Sequence, residues 1–401
     1  MTAAGWLQGK LGDVVTFQRG YDITKKVQRE GPYPVISSSG PTTTHDHFKD
    51  EGPGVVIGRK GSLGGVYYSE GPYWPHDTTL WVRDFHGNSP RFVYYLLQTL
   101  SLSHYDVGAS NPTLNRNHLH LLPVRIPPRP TQETIATVLS AYDDLIENNT
   151  RRIQLLEEMA QAIYREWFIE FRFPGHEGVQ MVNSELGPIP EGWSVLPLRE
   201  VSLRIDDGDW IETKDQGGHD YRLLQVSNIG IGEFRETGKC RYITGETFER
   251  LRCTELRVGH ILVSRMPDPI GRAWYVDYLD EPAITAVDIA IIEPDSTRID
   301  GRYCAFFLNT RENLSRAAAR ASGTTRPRIT RRDLANFPIL IPLPQVGDEY
   351  AKFLAMSGEL KLALTLANRR AREARDLLLP RLISGEIDVS NLDIGSAEPA
   401  A

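Results

Sequence analysis

The chain has 401 residues, 40% of them hydrophobic and 24% charged, with a formal net charge of −7. That length accommodates two or three domains with sizeable cores, and no apolar run approaches the roughly 18–20 residues of a membrane span. Met1 to Lys10 lack the apolar core of a signal peptide, so an intracellular, cytoplasmic location is expected, and the acidic total speaks against a uniformly basic nucleic-acid binder, although local clusters decide that better than the sum.

In chain order, Trp6, Leu11 and Val14 open a segment whose short apolar runs, Val55-Val56-Ile57, Gly65-Val66-Tyr67-Tyr68 and Leu80-Trp81-Val82, read as strands bounded by Gly and Pro. Arg91 to Leu100 reads as a helix. Gly58-Arg59-Lys60-Gly61-Ser62-Leu63-Gly64 is Gly-rich but lacks the spacing of a phosphate-binding loop and sits between two strands. His45-Asp46-His47 offers metal-ligand chemistry with no further ligand at a suitable spacing, so a polar loop is expected and no metal site. The cysteines, Cys240, Cys253 and Cys304, show no metal-ligand spacing and are expected to be reduced.

From Thr131 to Phe168 the apolar residues fall on one seam: Ile135, Leu139, Tyr142, Ile146, Asn149, Ile153, Leu156, Ala160, Ile163 and Trp167. Steps of three and four keep one stripe toward a partner helix, and only Asn149 is polar. A helix of this length would extend on the order of 55 Å. Pro/Gly-rich residues 173–190 read as a linker.

The chain then repeats itself. Trp193, Leu198 and Val201 match Trp6, Leu11 and Val14. Ile261-Leu262-Val263, Ala273 to Val276 and Ile289 to Ile292 match the first strands, and Arg302 to Thr310 matches Arg91 to Thr99. Tyr303 to Ala319 reads as helical. Leu334, Pro338 and Ile341-Pro342 match Leu119, Pro123 and Ile126-Pro127, and Arg369-Arg370 matches Arg151-Arg152. The offset grows along the chain, as loop insertions in a duplicated unit produce. A second seam runs through Phe353, Ser357, Leu360, Leu364, Ala367, Ala371, Ala374 and Leu378, small where the first is large, so the two helices are expected to pair. The fold class is α+β: two tandem globular domains (1–128 and 191–344), each followed by a long helix (129–172 and 345–388), the helices pairing as an antiparallel coiled coil, with a disordered tail (389–401).

No catalytic set survives inspection. A self-contained adenine methyltransferase needs a Gly-rich cofactor loop and an Asn/Asp-Pro-Pro-aromatic motif; Asn111-Pro112-Thr113 and Ile126-Pro127-Pro128-Arg129 do not supply it. What remains is basic loop chemistry in both copies. Arg59-Lys60 and Arg265 stand at matching places after a strand, and Arg19, Arg116, Arg241 and Arg272 lie near Gly-rich turns. Gly108 to Arg116, with Asn111 and Asn115, matches the loop Ala321 to Arg332, which holds Thr324 and Thr325 and, with Arg320 before it, the run Arg326, Arg328, Arg331 and Arg332. Arg pairs bidentately with guanine and Asn with adenine, while Lys, Ser and Thr hold phosphates. These are the candidate DNA-binding residues.

Several stretches carry a resemblance: Asn111-Pro112 through Pro127-Pro128, Gln132-Glu133-Thr134-Ile135-Ala136, Leu155 to Ala160, Arg165-Glu166-Trp167-Phe168, Phe171 to Gly175, and Leu186 to Trp193. Together they make the chain resemble the specificity subunit of type I restriction–modification systems over nearly its whole length. The resemblance implies two target-recognition domains held apart by antiparallel helices, each reading half of a split site on double-stranded DNA. It also implies methylation subunits docked on those helices, S-adenosylmethionine bound by them, and motor-nuclease subunits that use ATP and Mg2+; no cofactor is expected on this chain. Pro344 to Glu349 departs from the family's Glu-Gln helix start. Two other classes fit parts of the pattern, a coiled-coil scaffold without a DNA role and the specificity half of a fused methyltransferase. The purified chain alone is expected to transfer no methyl group from S-adenosylmethionine to DNA; a radiolabel assay free of partner subunits checks this, and transfer above background would refute it.

Overall fold

The computed structural model describes residues 5–105, 113–238, 240–389 and 392. In the first copy the strands are β1 (Leu7–Lys10), β2 (Thr16–Arg19), β3 (Tyr33–Ser37), β4 (Gly40–His45), β5 (Gly54–Gly58), β6 (Val66–Ser69), β7 (Trp74–Pro75), β8 (Thr79–Asp84) and β9 (Pro123–Ile126). Its helices are α1 (Leu11–Val14), α2 (Pro90–Gln98), α3 (Arg116–Leu119) and the long α4 (Arg129–Tyr164), which runs on into a π-helical turn at Arg165–Ile169. A hairpin follows, β10 (Met181–Ser184) with β11 (Gly187–Pro190).

The second copy contains β12 (Ser194–Pro197), β13 (Ser202–Asp207), β14 (Tyr221–Leu224), β15 (Tyr242–Ile243), β16 (Ile261–Ser264), β17 (Ala273–Tyr275), β18 (Ala283–Thr285), β19 (Ile289–Pro294) and β20 (Pro338–Ile341). Its helices are α5 (Gly245–Leu251), α6 (Gly301–Leu308), α7 (Arg311–Ala319), α8 (Arg331–Ala335) and the long α9 (Pro344–Ile383).

The sheets repeat strand for strand. A two-stranded ribbon, β1-β9, recurs as β12-β20; a four-stranded sheet, β2-β8-β5-β6, recurs as β13-β19-β16-β17; a three-stranded sheet, β4-β3-β7, recurs as β15-β14-β18. The β3–β7 and β14–β18 pairings are both parallel. The central strands β5 and β16 are buried along their whole length, as unbroken apolar runs between Gly and polar punctuation require. Ser89 caps α2 ahead of Pro90, and Asp300 caps α6 through the amides of Arg302 and Tyr303.

The chain divides into two compact units, residues 1–151 with 365–401 and residues 152–364. Both cuts fall inside a long helix, so each unit owns a stretch of α4 and a stretch of α9. In the first unit, Ile135, Ala136 and Leu139 of α4 and Leu382 and Ile383 of α9 join one core with Leu11, Phe17, Ile57, Val82 and Phe92. In the second, Ala160 and Tyr164 of α4 and Val346, Tyr350 and Leu354 of α9 share a core with Ile261, Ile292, Tyr303 and Phe337. Tyr350 lies at 5.0 Å from Phe168 and about 6 Å from Tyr164, Trp167 and Phe306 between ring centroids, and its hydroxyl donates to the Ala160 carbonyl at 3.0 Å.

Within each unit the helix segments run antiparallel. In the first, Arg375 meets Asp143 at 2.7 Å, and the buried Asn149 donates to Asn368 Oδ1 at 3.0 Å. Asn368 in turn donates to Thr150 Oγ1 and the Ile146 carbonyl. In the second, Lys361 meets Glu157 at 2.7 Å.

All of Ile135, Leu139, Tyr142, Ile146, Asn149, Ile153, Leu156, Ile163 and Trp167 are buried or half-buried. Toward the end of α4 the most buried side chains are Tyr164 (5% exposed) and Phe168 (2%) rather than Ile163 and Trp167. A straight helix drifts by roughly 20° per heptad from a strict seven-residue repeat, which over four or five heptads amounts to about one residue. The second seam needs a correction at Leu360, which is 50% exposed. Lys361 takes its place, half-buried with its ammonium on Glu157. Phe353, Leu364 and Leu378 remain on the seam.

Residues 173–190 are also more than a linker: they form the β10–β11 hairpin, with Phe173 and Ile189 in the second unit's core. The expected helix 303–319 breaks at Thr310, whose side chain caps α7. The last helix stops at Ile383 rather than 388, because Gly385 takes a positive φ against the Trp6 indole. Apart from Leu392, the tail from Ser390 lies outside the described residues.

Asn368→Ala leaves the Asn149 amide buried without its acceptor and is expected to cost about 1–3 kcal/mol, whereas Asn149→Leu with Asn368→Leu is expected to be near neutral or stabilising. Urea unfolding of the full chain checks both.

Candidate nucleic-acid interface

Matching backbone bonds build one site in each unit. After β5, Arg59 N donates to the Thr78 carbonyl at 2.9 Å, and Leu114 N donates to the Arg59 carbonyl at 2.9 Å. After β16, Arg265 N donates to the Asp288 carbonyl at 3.0 Å, and Ile329 N donates to the Arg265 carbonyl at 3.1 Å. The next residues, Asn115 and Thr330, cap α3 and α8, accepting from the amides of Asn117 and Asp333 respectively. The two basic loops therefore dock on equivalent strand ends, and Arg116 stands where Arg331 stands.

In the first unit, Arg19 reaches Asp77 at 3.0 Å, and Arg59, half-buried, has its pKa lowered by burial and by the nearby Arg19 charge. Lys60, Asn115 and Arg116 are exposed, and Lys60 bridges to Thr113. Two or more cations held at a strand end by one carboxylate leave a net positive surface suited to phosphate. Asn111 lies outside the described residues.

In the second unit, the loop from Arg320 to Arg332 folds against two acids. Arg328 meets Asp288 at 3.1 Å, Arg331 meets Asp207 at 3.7 Å, and Arg265 meets Asp207 at 2.8 Å. Burial raises the Asp288 carboxyl, and Arg326 opposes that shift. Arg320 covers the Phe337 ring at 5.1 Å. Thr324, Thr325, Arg326 and Arg332 are exposed. Ser322 and Arg328 exchange backbone bonds at 2.9 and 3.0 Å, so the exposed tip is the closed turn between them.

Two candidates are structural. Arg265 is 3% exposed, tied to Asp207 and the Val287 carbonyl. Arg272 is 4% exposed and donates to the carbonyls of Ile229, Met266, Pro269 and Val226. Both guanidiniums satisfy inward-facing groups instead of presenting to a ligand. Arg241 is exposed, but it precedes β15 in the three-stranded sheet rather than joining the 320–332 loop.

The partner acids Asp77, Asp207 and Asp288 were not singled out from sequence, although Asp206-Asp207-Gly208-Asp209 was a visible acidic run. Burial raises the Asp209 pKa to about 6, against the Thr254 amide that donates to it. Beside it, Trp210 is 71% exposed. At His45-Asp46-His47 the ligand atoms lie within 4.8 Å of one another, but His45 Nδ1 already accepts from the Arg29 amide and Asp46 hydrogen-bonds His47 at 2.8 Å. Cys240 is exposed and Cys253 and Cys304 are buried, all as free thiols.

A protein-family model for the type I restriction modification DNA specificity domain matches residues 4–158. The chain is 26% identical over 309 residues to the MjaIX specificity subunit, a type I restriction enzyme subunit of Methanocaldococcus jannaschii, covering 75% of this chain and 70% of that protein. It is 21% identical over 365 residues to the HindI specificity subunit of Haemophilus influenzae, covering 74% and 77%. The solved S subunit of the type I restriction–modification system of M. genitalium shares the fold, with a TM-score of 0.65 at 14% identity over 96% of this chain and 97% of that one. The class these likenesses point to is DNA target recognition. Over residues 4–158 the chain matches the type I restriction modification DNA specificity domain, and over about three quarters of its length it is similar to the specificity subunits of type I restriction enzymes.

Arg326→Ala and Arg332→Ala are each expected to flatten the slope of log affinity against log salt by about 0.9, the value for one phosphate contact, without loss of stability. Arg265→Ala is expected to destabilise the fold by roughly 3–5 kcal/mol, as removal of one partner from a buried ion pair does. Salt-titrated DNA binding and denaturant unfolding separate the two classes.

Proposed function

We propose that the chain reads a bipartite DNA target, one domain per half-site, with the paired helices setting the unread gap. The observation that carries this is one scaffold built twice, with loops of different chemistry docked at the same strand ends: Lys60, Asn115 and Arg116 in one copy, Thr324 to Arg332 in the other. Equivalent placement with unlike side chains suits two readers of unlike sequences.

The helix pair is also the proposed dock for methylation subunits, which bind S-adenosylmethionine and modify adenine; motor-nuclease subunits supply ATP- and Mg2+-dependent cleavage in the full complex. Exposed Leu155, Met159, Met356 and Leu360 on the second unit's helix segments, and Leu145 and Leu377 on the first unit's, support docking there. A recess of about 950 Å³ beside those segments in the second unit, lined by Tyr164, Tyr275, Arg302, Phe306 and Lys361, gives a partner side chain somewhere to enter.

Inserting one heptad at matching levels of α4 and α9 keeps the seam in phase and lengthens the pair by about 10 Å. The preferred gap is then expected to grow by roughly three base pairs at about 3.4 Å each, with the bases read in each half unchanged. Selection from a DNA library with randomised gaps measures this; the original gap preference in a folded insertion variant would mean that the helices are not the ruler.

A further inference from the structure

Two ion pairs that cross the helix pair share a pattern. Asp143 and Glu157 are both on α4, and their partners Arg375 and Lys361 are both on α9. With Arg151-Arg152 superposed on Arg369-Arg370, Asp143 falls on Lys361, Glu157 on Arg375, and Thr150 on Asn368. The two ion pairs are therefore the same contact seen in the two repeats, with its charges reversed between the equivalent positions.

That reversal decides which helices fit. A pairing of α4 with the α4 of a second copy, in the same geometry, sets Asp143 against Glu157 and Asn149 against Thr150. A pairing of α9 with α9 sets Lys361 against Arg375 and Asn368 against Ala367, which leaves a buried amide facing a methyl group. Only α4 with α9 matches every contact. The side chains of Asp143 and Arg375 are 21% and 25% exposed, those of Glu157 and Lys361 43% and 28%, so their charges are screened less than those of a fully exposed pair.

We propose that these charges and the Asn149–Asn368 contact address each helix to the unlike helix and against the like helix of a second copy. A repeated chain with two similar helices is otherwise open to exchange between copies. The like-charge contacts are the repulsive element that pairing specificity requires in addition to an attractive one. The selection belongs to the helix pair and is independent of what the domains bind.

Two measurements on the full chain test it. Lys361→Glu recreates the acid–acid contact of an α4–α4 pair inside the second unit. It is expected to lower the thermal midpoint by about 2–4 °C and to do so more than Lys361→Ala, while adding Glu157→Lys restores it. Glu157→Lys with Lys361→Glu reverses one pair only, so the match within the chain survives and the like-helix pairings become charge-matched too. After refolding at high concentration, this variant is expected to give more dimer by sedimentation than the wild type, and reversing both pairs is expected to return the dimer to the wild-type level. Equal dimer in all three proteins, or a Lys361→Glu variant no less stable than Lys361→Ala, overturns the proposal.

Discussion

Neither domain closes its core with its own strands and short helices. Ile135, Leu139, Leu382 and Ile383 complete the first, and Ala160, Tyr164, Tyr350 and Leu354 complete the second. The first core thus needs the helix that follows it and the end of a helix that comes from beyond the second repeat, and the second core needs the helix before it and the helix after it. This constraint makes α4 and α9 part of the domains rather than appendages to them. It also explains why the seam must hold its phase over five heptads: an error in pairing is an error in two hydrophobic cores, where lost side-chain burial costs about 2–5 kcal/mol per large residue.

The same scaffold then carries different electrostatics. Gly20 and Gly208 make the same backbone bond, to Thr79 and Ile289 respectively, so Arg19 and Asp207, each one residue earlier, are counterparts. In the first unit that position holds a cation bound to Asp77. In the second it holds an acid that draws Arg265 inward and engages Arg331. One exchange of charge turns the arginine after the central strand from a half-exposed group into a buried one and leaves Arg326 and Arg332 of the 320–332 loop as exposed cations beside that strand end.

What was legible in the sequence followed from periodicity and repetition. The seam of α4, the central strands and the duplicated order of elements are properties of apolar spacing, and spacing is a linear signal. What was not legible depended on which of two neighbours turns inward. Leu360 and Lys361 both satisfy a three-or-four step, and hydropathy favours the leucine, but the lysine finds Glu157. Arg265 and Arg272 look like surface cations in a basic context, yet carbonyls and an aspartate from distant segments close around them. Residues 173–190 have linker composition, but Phe173 and Ile189 join a core assembled from residues between Ala160 and Leu354. Such partners belong to tertiary structure, and no local window contains them.

The departure from the family pattern at the start of α9 shows how a repeat can change a contact and keep its role. In the first copy, buried Gln132 accepts from the Ser89 amide and donates to Asn88 and the Pro127 carbonyl, pinning α4 to its own domain. In the register set by Arg151-Arg152 and Arg369-Arg370, its counterpart is Tyr350. That side chain gives up the three-way polar lock, fills the space with an aromatic cluster, and sends its one hydroxyl to the Ala160 carbonyl on the partner helix. Burying a ring with one satisfied hydroxyl replaces burying an amide with three bonds, so no polar group on that side chain is stranded. The first long helix is thus locked to the domain before it and the second to the helix beside it. Divergence between the repeats has exchanged a polar lock on the domain for an aromatic cluster and one hydrogen bond to the partner helix.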